Sequence, residues 1–107
     1  MAPVFFKVLL RLLPKDDEGR PLPLARLSMV SCDVGGTWRG MPVCFDARVM
    51  LETQSSLKPG EECAARLDPL SPELWADVQA GQAFTLQQGR RVLGAGVVLE
   101  RVAGLVQ

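Results

Sequence analysis

Residues Phe84 to Val102 run Phe-Thr-Leu-Gln-Gln-Gly-Arg-Arg-Val-Leu-Gly-Ala-Gly-Val-Val-Leu-Glu-Arg-Val. Two apolar arms flank a polar Gln-Gln-Gly-Arg tip, which is the pattern of a β-hairpin. The second arm carries Gly94-Ala95-Gly96, three residues with almost no side chain in mid-strand. Glycine weakens a strand unless the backbone must bend sharply or something must approach closely, as at a barrel corner. The hairpin therefore predicts a small closed or strongly curled sheet, and it carries no reactive group.

The rest of the chain agrees. Pro3 to Leu13, rich in valine, phenylalanine and leucine, reads as a first strand apolar on both faces. A charged turn, Pro14 to Arg20, follows, and Pro21-Leu22-Pro23 suits only an edge or a connection. Arg26 to Asp33 is a second strand, ending at Gly35-Gly36. Pro42 to Glu52 is a third, in which Val43, Phe45, Ala47, Val49 and Leu51 alternate with Cys44, Asp46, Arg48 and Met50. A Pro-Gly turn at Leu57 to Glu61 leads to a fourth strand, Cys63 to Leu67, stopped by Asp68-Pro69.

Ser71-Pro72-Glu73 has the hydroxyl cap, proline and acid of a helix start, with room for about two turns before Gly81. Leu74 and Val78 are expected to pin that helix to the sheet, and Trp75 to pack rather than to act as a ligand platform. The hairpin arms Ala83–Gln88 and Arg91–Val102 bring the count to six strands. The expectation is one all-β domain over residues 1–107: a six-stranded antiparallel closed β-barrel with one short helical turn.

Composition narrows the function. Twelve Lys and Arg balance twelve Asp and Glu, so net charge drives attraction neither to nucleic acid nor to an anionic membrane. Histidine is absent, which removes the usual general base and zinc ligand. Cys32, Cys44 and Cys63 are an odd, scattered set, read as free thiols in a reducing compartment. They are expected to be small buried hydrophobes, with a reactive thiol at Cys44 or Cys63 as the other reading. Lys7 and Arg11 interrupt the apolar run of Met1 to Leu13, which has no cleavage site before Pro14 and is too short to span a bilayer. That favours a soluble, cytoplasmic protein.

No phosphate loop occurs, Gly94-Ala95-Gly96 lacks a third glycine and a following helix, and no cluster of metal ligands is present. Asp46, Glu52 or Asp68 could form a carboxylate pair, but nothing singles one out. The chain reads as no enzyme and as needing no cofactor. The candidate binding residues are Gln87, Gln88, Gly89, Arg90 and Arg91 at the hairpin tip, where amides and guanidinium groups could donate to phosphate or sugar. The simpler reading of the same tip, and the one favoured on these residues, is a polar turn kept soluble by its charges.

Phe84 to Val98 resembles the C-terminal hairpin of elongation factor Tu, in which Phe84, Gly89, Arg91, Gly94, Ala95, Gly96, Val97 and Val98 keep identity and order. Lys58-Pro59-Gly60-Glu61 is similar to that family's Met-Pro-Gly-Asp turn, and Ser31-Cys32-Asp33-Val34-Gly35-Gly36 to its Thr-Thr-Asp-Val-Thr-Gly. Val4 to Arg20 is similar to its opening strand and glycine-arginine turn. The resemblance spans nearly the whole chain but only the third domain of the factor, and it implies a six-stranded barrel that contacts a GTPase domain and the T-stem of aminoacyl-tRNA.

The family's Arg-Glu-Gly turn is Gln87-Gln88-Gly89 here, its Gly-Tyr-Arg-Pro segment is missing, and Asp68 stands where some members carry a lysine. Without those basic and aromatic side chains, and with charge balanced, the expected role of a stand-alone barrel of this kind is protein–protein interaction with a partner of unknown identity. The alternative is tRNA or other RNA bound at Gln87 to Arg91, and no nucleotide is expected on this chain alone.

Overall fold

A computed structural model describes residues 4–15, 19–20 and 22–103. The charges Asp16 to Glu18, together with Pro3 and Pro21, lie outside the described residues. Six strands close into an antiparallel barrel: β1 (Val4–Leu12), β3 (Leu27–Asp33), β6 (Phe45–Leu51), β8 (Glu62–Pro69), β9 (Ala83–Gln88) and β10 (Arg91–Ala103). Around the wall the order is β1-β10-β9-β3-β6-β8. Two-residue strands add two small ribbons, β2 (Leu24–Ala25) with β7 (Ser56–Leu57) and β4 (Thr37–Trp38) with β5 (Met41–Pro42). No helix of the described residues is long and apolar enough to cross a membrane.

Period-two alternation builds the core. Phe6, Val8, Leu10 and Leu12 of β1 point inward with Ala47, Val49 and Leu51 of β6 and Ala65 and Leu67 of β8, all essentially without solvent contact. Leu24 and Leu57, paired between β2 and β7, cover one end. Trp75 covers the other, fully buried, its ring centroid 5.5 Å from that of Phe6 and 6.5 Å from that of Phe45.

Gly94 and Gly96 sit where strands come closest. In register, Gly94 faces Leu12 on β1 and Leu86 on β9, and Gly96 faces Leu10 and Phe84. A Cβ on Gly96 would lie 2.5 Å from Phe84 Cζ and 2.8 Å from the Leu9 carbonyl oxygen. A Cβ on Gly94 would run into the Arg11 carbonyl. Close approach is what these positions need, and register shifts at Val92/Gly94 and Lys7/Val8 bend the wall beside them.

Several expectations need correction. The Pro72–Trp75 segment is a single 3₁₀ turn rather than two helical turns, and Ser71 makes no capping side-chain bond. Leu74 is 47% exposed, whereas Trp75 and Val78 are buried. An α-helical i,i+4 pairing does not apply: the Val78 N–H donates to the Trp75 carbonyl at 3.1 Å, and residues three apart share a face in this tighter geometry. The strand expected over Pro42 to Glu52 divides, Pro42 belonging to the β4–β5 ribbon and β6 starting at Phe45. Pro69 ends β8 inside the ladder, opposite Ala47, because a terminal position tolerates the missing N–H.

Candidate interaction surfaces

The β9–β10 hairpin turns through two residues, Gly89 and Arg90, with Gln88 paired to Arg91 and Gly89 at φ 61°. A positive φ at the first central residue matches the twist of a tight hairpin. Beside this tip, β3 and β9 are laddered through only three pairs, Ser31–Gln87, Cys32–Leu86 and Asp33–Thr85. Beyond Ser31 the strands part and leave an open groove of about 340 Å³ lined by Met29, Val30, Ser31, Asp46, Gln87, Gln88 and Gly89. Across it, the Gln88 Nε2 donates to the Met29 carbonyl at 3.3 Å, and the Ser31 hydroxyl donates to Asp46 Oδ1 at 2.7 Å.

Three of the five sequence candidates, Gln87, Gln88 and Gly89, thus share one groove. Arg90 is exposed and Arg91 half-buried, and neither lines it. The only charged lining residue is the carboxylate of Asp46. Nor does the hairpin carry a cationic stripe: no lysine or arginine occurs from Val92 to Glu100. At the far end of β10, the Arg101 Nη1 donates to the carbonyls of Ala76 at 2.6 Å and Val78 at 3.1 Å, tying down the segment after the 3₁₀ turn.

A second surface has no counterpart among the sequence candidates. The β4–β5 ribbon projects between β3 and β6 as a short arm whose tip residues, Arg39 and Gly40, have φ 52° and 78°. Two successive positive φ values define the type I′ hairpin. Trp38 and Met41 face each other across the ladder and are 62% and 66% exposed, and the Arg39 guanidinium lies 5.5 Å from the Trp38 ring centroid. Arg-Gly is a weak I′ signal beside Asn-Gly, and two-residue strands carry no readable period, so only the Trp-x-x-Met spacing around a glycine turn could have flagged the arm.

Between the base of the arm and the 3₁₀ turn lies a cleft of about 220 Å³, lined by Val34, Gly35, Gly36, Phe45, Leu74, Asp77, Val78 and Gln82. The Gln82 side-chain amide donates to the Val34 carbonyl at 2.5 Å, and the Phe45 ring packs where a Cβ on Gly36 would have to stand.

Two of the candidate carboxylates are already engaged. Asp46 accepts from Ser31, and Asp68 is held by Arg66 Nε at 2.8 Å. Glu52 lies six residues along the chain from Asp46, roughly 20 Å in a strand. Among the described residues no three Cys, Asp or Glu side chains group to hold a metal. The cysteines divide: Cys32 and Cys63 are buried, whereas Cys44 is exposed, a correction to its expected burial. It stands on the Asp46, Arg48 and Met50 side of the alternation, which faces solvent. Burial, with smaller contributions from Cys44 and Asp46, pushes the Cys32 thiol up to about 12. Cys44 is raised by desolvation and then by Asp33 and Asp46, and Cys63 by desolvation and then by Glu61 and Glu52. All three thiols are therefore protonated and poorly nucleophilic at neutral pH.

A scan against protein-family models finds no match to this chain, and a search of curated proteins finds no relative.

Proposed function

We propose that this chain is a non-catalytic binding barrel that works through protein–protein contacts, related to the C-terminal barrel of elongation factor Tu. One observation carries the reading: Trp38 and Met41, paired on a projecting arm, stand mostly in solvent. Tryptophan and methionine are enriched where proteins meet, and tryptophan is among the commonest binding hot spots. An arm held out by a type I′ turn presents them with little entropy left to lose on binding. We assign the protein to the cytoplasm, since free thiols, one of them exposed, are at home in a reducing compartment.

RNA binding at the Gln87 to Arg91 turn is the second reading, supported by the exposed Gln88, Gly89 and Arg90. The Asp46 carboxylate in the adjoining groove repels phosphate, which favours the protein reading. Affinity capture with the full chain as bait tests the two together. Trp38→Ala is expected to leave thermal unfolding unchanged and to lose the specifically captured proteins by tenfold or more. Capture indifferent to Trp38→Ala, with salt-sensitive tRNA retention that weakens in Arg90→Ala, would overturn the protein reading in favour of RNA.

A further inference from the structure

Strand β3 is paired unevenly. Its ladder with β6 runs from Leu27 to Cys32, but its ladder with β9 covers only Ser31 to Asp33. Among the described residues, Leu27 to Val30 therefore have a strand on one side only, and the groove lined by Met29 and Val30 lies on the other. Four residues of strand make an open side of roughly 13 Å.

Two hydrogen bonds show which residues turn their backbone to that side. The Arg26 carbonyl accepts from the Leu51 N–H at 2.8 Å, toward β6, and the Met29 carbonyl accepts from Gln88 Nε2 at 3.3 Å, toward β9. Successive residues of an antiparallel strand alternate in this respect, so Leu27 and Met29 face the open side while Ser28 and Val30 face β6. The Leu27 N–H and carbonyl and the Met29 N–H are thus presented outward. The Gln88 amide stands on the Met29 carbonyl where a neighbouring strand would place its donor, at a length just past the usual range.

A row of such groups is a template for another strand, and folded proteins usually blunt it with charge, proline or a bulge. None of these is present on β3. Leu27-Ser28-Met29-Val30-Ser31-Cys32 contains no charge and no proline, and its register with β6 is continuous. Leu27 and Met29 are 58% and 48% exposed, so apolar side chains accompany the open backbone. A helix keeps its backbone groups bonded within itself, and a nucleic acid meets the Asp46 carboxylate in the same groove. What matches is an extended polypeptide. The β9–β10 tip closes the Ser31 end, which suits a slim segment rather than the wall of a second barrel.

We infer that the open side of β3 receives an extended segment of a partner protein, antiparallel to Leu27–Val30 and bonded to the backbone of Leu27 and Met29, with apolar side chains opposite those two residues. The inference rests on the protein-contact reading above and adds how the partner is held: main-chain bonds supply affinity and alternate side chains supply specificity.

The test uses the full ¹⁵N-labelled chain and three capped peptides at millimolar concentration. One is Ser-Val-Thr-Val-Ser, the second is N-methylated on both valines, and the third is N-methylated on the threonine. With valines opposite Leu27 and Met29, the second peptide loses the donors that face β3 and the third loses one that faces away. The first and third are expected to move the amide resonances of Leu27 to Val30 and to slow hydrogen exchange at Leu27 and Met29; the second should do neither. Gln88→Ala frees the Met29 carbonyl and should tighten the first peptide by about two- to tenfold, the scale of one net hydrogen bond. Leu27→Lys, at an exposed position, supplies an edge charge and should weaken it severalfold without altering thermal unfolding. Equal binding of the two methylated peptides, shifts that spare Leu27 to Val30, or no shift with any peptide would overturn the inference. So would tRNA moving the same resonances, or a concentration-dependent dimer abolished by Leu27→Lys, which would make a second copy the occupant. If the peptides fail while protein capture still depends on Trp38, the edge assignment falls alone. If capture ignores Trp38, the underlying reading falls whatever the peptides do.

Discussion

Replacing Gly96 by alanine tests the barrel's tightest contact with one methyl group. In an open strand this substitution would stabilise by about 0.5–1 kcal/mol, since glycine has more backbone freedom to lose on folding. Here the new Cβ would stand 2.5 Å from Phe84 Cζ and 2.8 Å from the Leu9 carbonyl oxygen, both well inside van der Waals contact. Phe84 is buried and Leu9 is in the ladder between β1 and β10, so neither can retreat without moving a strand. Overpacking of this kind typically costs about 1–3 kcal/mol. At roughly 4–8 °C per kcal/mol for a domain near this size, Tm should fall by roughly 5–20 °C. Calorimetric or circular-dichroism melting of the variant measures it. The double change Gly96→Ala with Phe84→Leu removes the ring conflict but not the carbonyl one. Relative to Phe84→Leu alone, the added methyl should therefore cost less than in the parent, yet still more than nothing. A neutral or stabilising Gly96→Ala would refute the claim that β1 and β9 close on this glycine.

Trp75→Ala should be among the most damaging core changes, about 3–5 kcal/mol, because it empties a fully buried site against Phe6 and Phe45, and near-ultraviolet circular dichroism would lose its aromatic signature. Arg101→Ala frees the carbonyls of Ala76 and Val78, so hydrogen exchange should accelerate selectively in the 76–82 segment, with about 1–3 kcal/mol lost globally. Alkylation at neutral pH should reach Cys44 first and Cys32 only on unfolding, read by mass spectrometry of digests. Cys32 also makes stability depend on pH. Its thiol stays protonated to about 12 in the folded barrel but ionises near its ordinary value of about 8.5 once unfolded, so the unfolded chain binds fewer protons in between. Stability from this group is complete below about pH 8.5 and falls by up to about 1.4 kcal/mol per pH unit above it, and Cys32→Ala should flatten that slope in denaturant titrations.

The barrel was legible where long elements repeat a period. Ala47, Val49 and Leu51 alternate with Arg48 and Met50 in the sequence, and their burial alternates the same way in β6. Gly94 and Gly96 announced a close approach because a glycine pair in a strand has few other physical reasons to be there. What was not legible is short. A two-residue strand such as Thr37–Trp38 shows no alternation, and its pairing with Met41–Pro42 depends on positive φ at Arg39, a residue that rarely takes it. Ser71-Pro72-Glu73 marks a beginning correctly but says nothing about helix type. In the structure Arg101, 25 residues from Ala76, holds the carbonyls that follow the turn, and Trp75 is buried, contacts that lie far outside the local sequence.

Binding surfaces obey a different rule from strands, because no period marks them. A polar turn such as Gln87 to Arg91 stands out since loops are where charges gather, yet charge on a hairpin tip is also what solubility alone demands. The groove beside it holds amides and one carboxylate, a poor match for phosphate. An exposed Trp38 is a more discriminating signal, because water penalises it and nothing in the barrel needs it there. Trp38 and Trp75 each lie among mixed polar and apolar neighbours, yet one is 62% exposed and the other, expected to pack, is 0% exposed. Only the closed wall separates them. Once six strands and the 3₁₀ turn have consumed the inward positions, Trp38 is left outside, and that exposure is what the protein-contact proposal rests on.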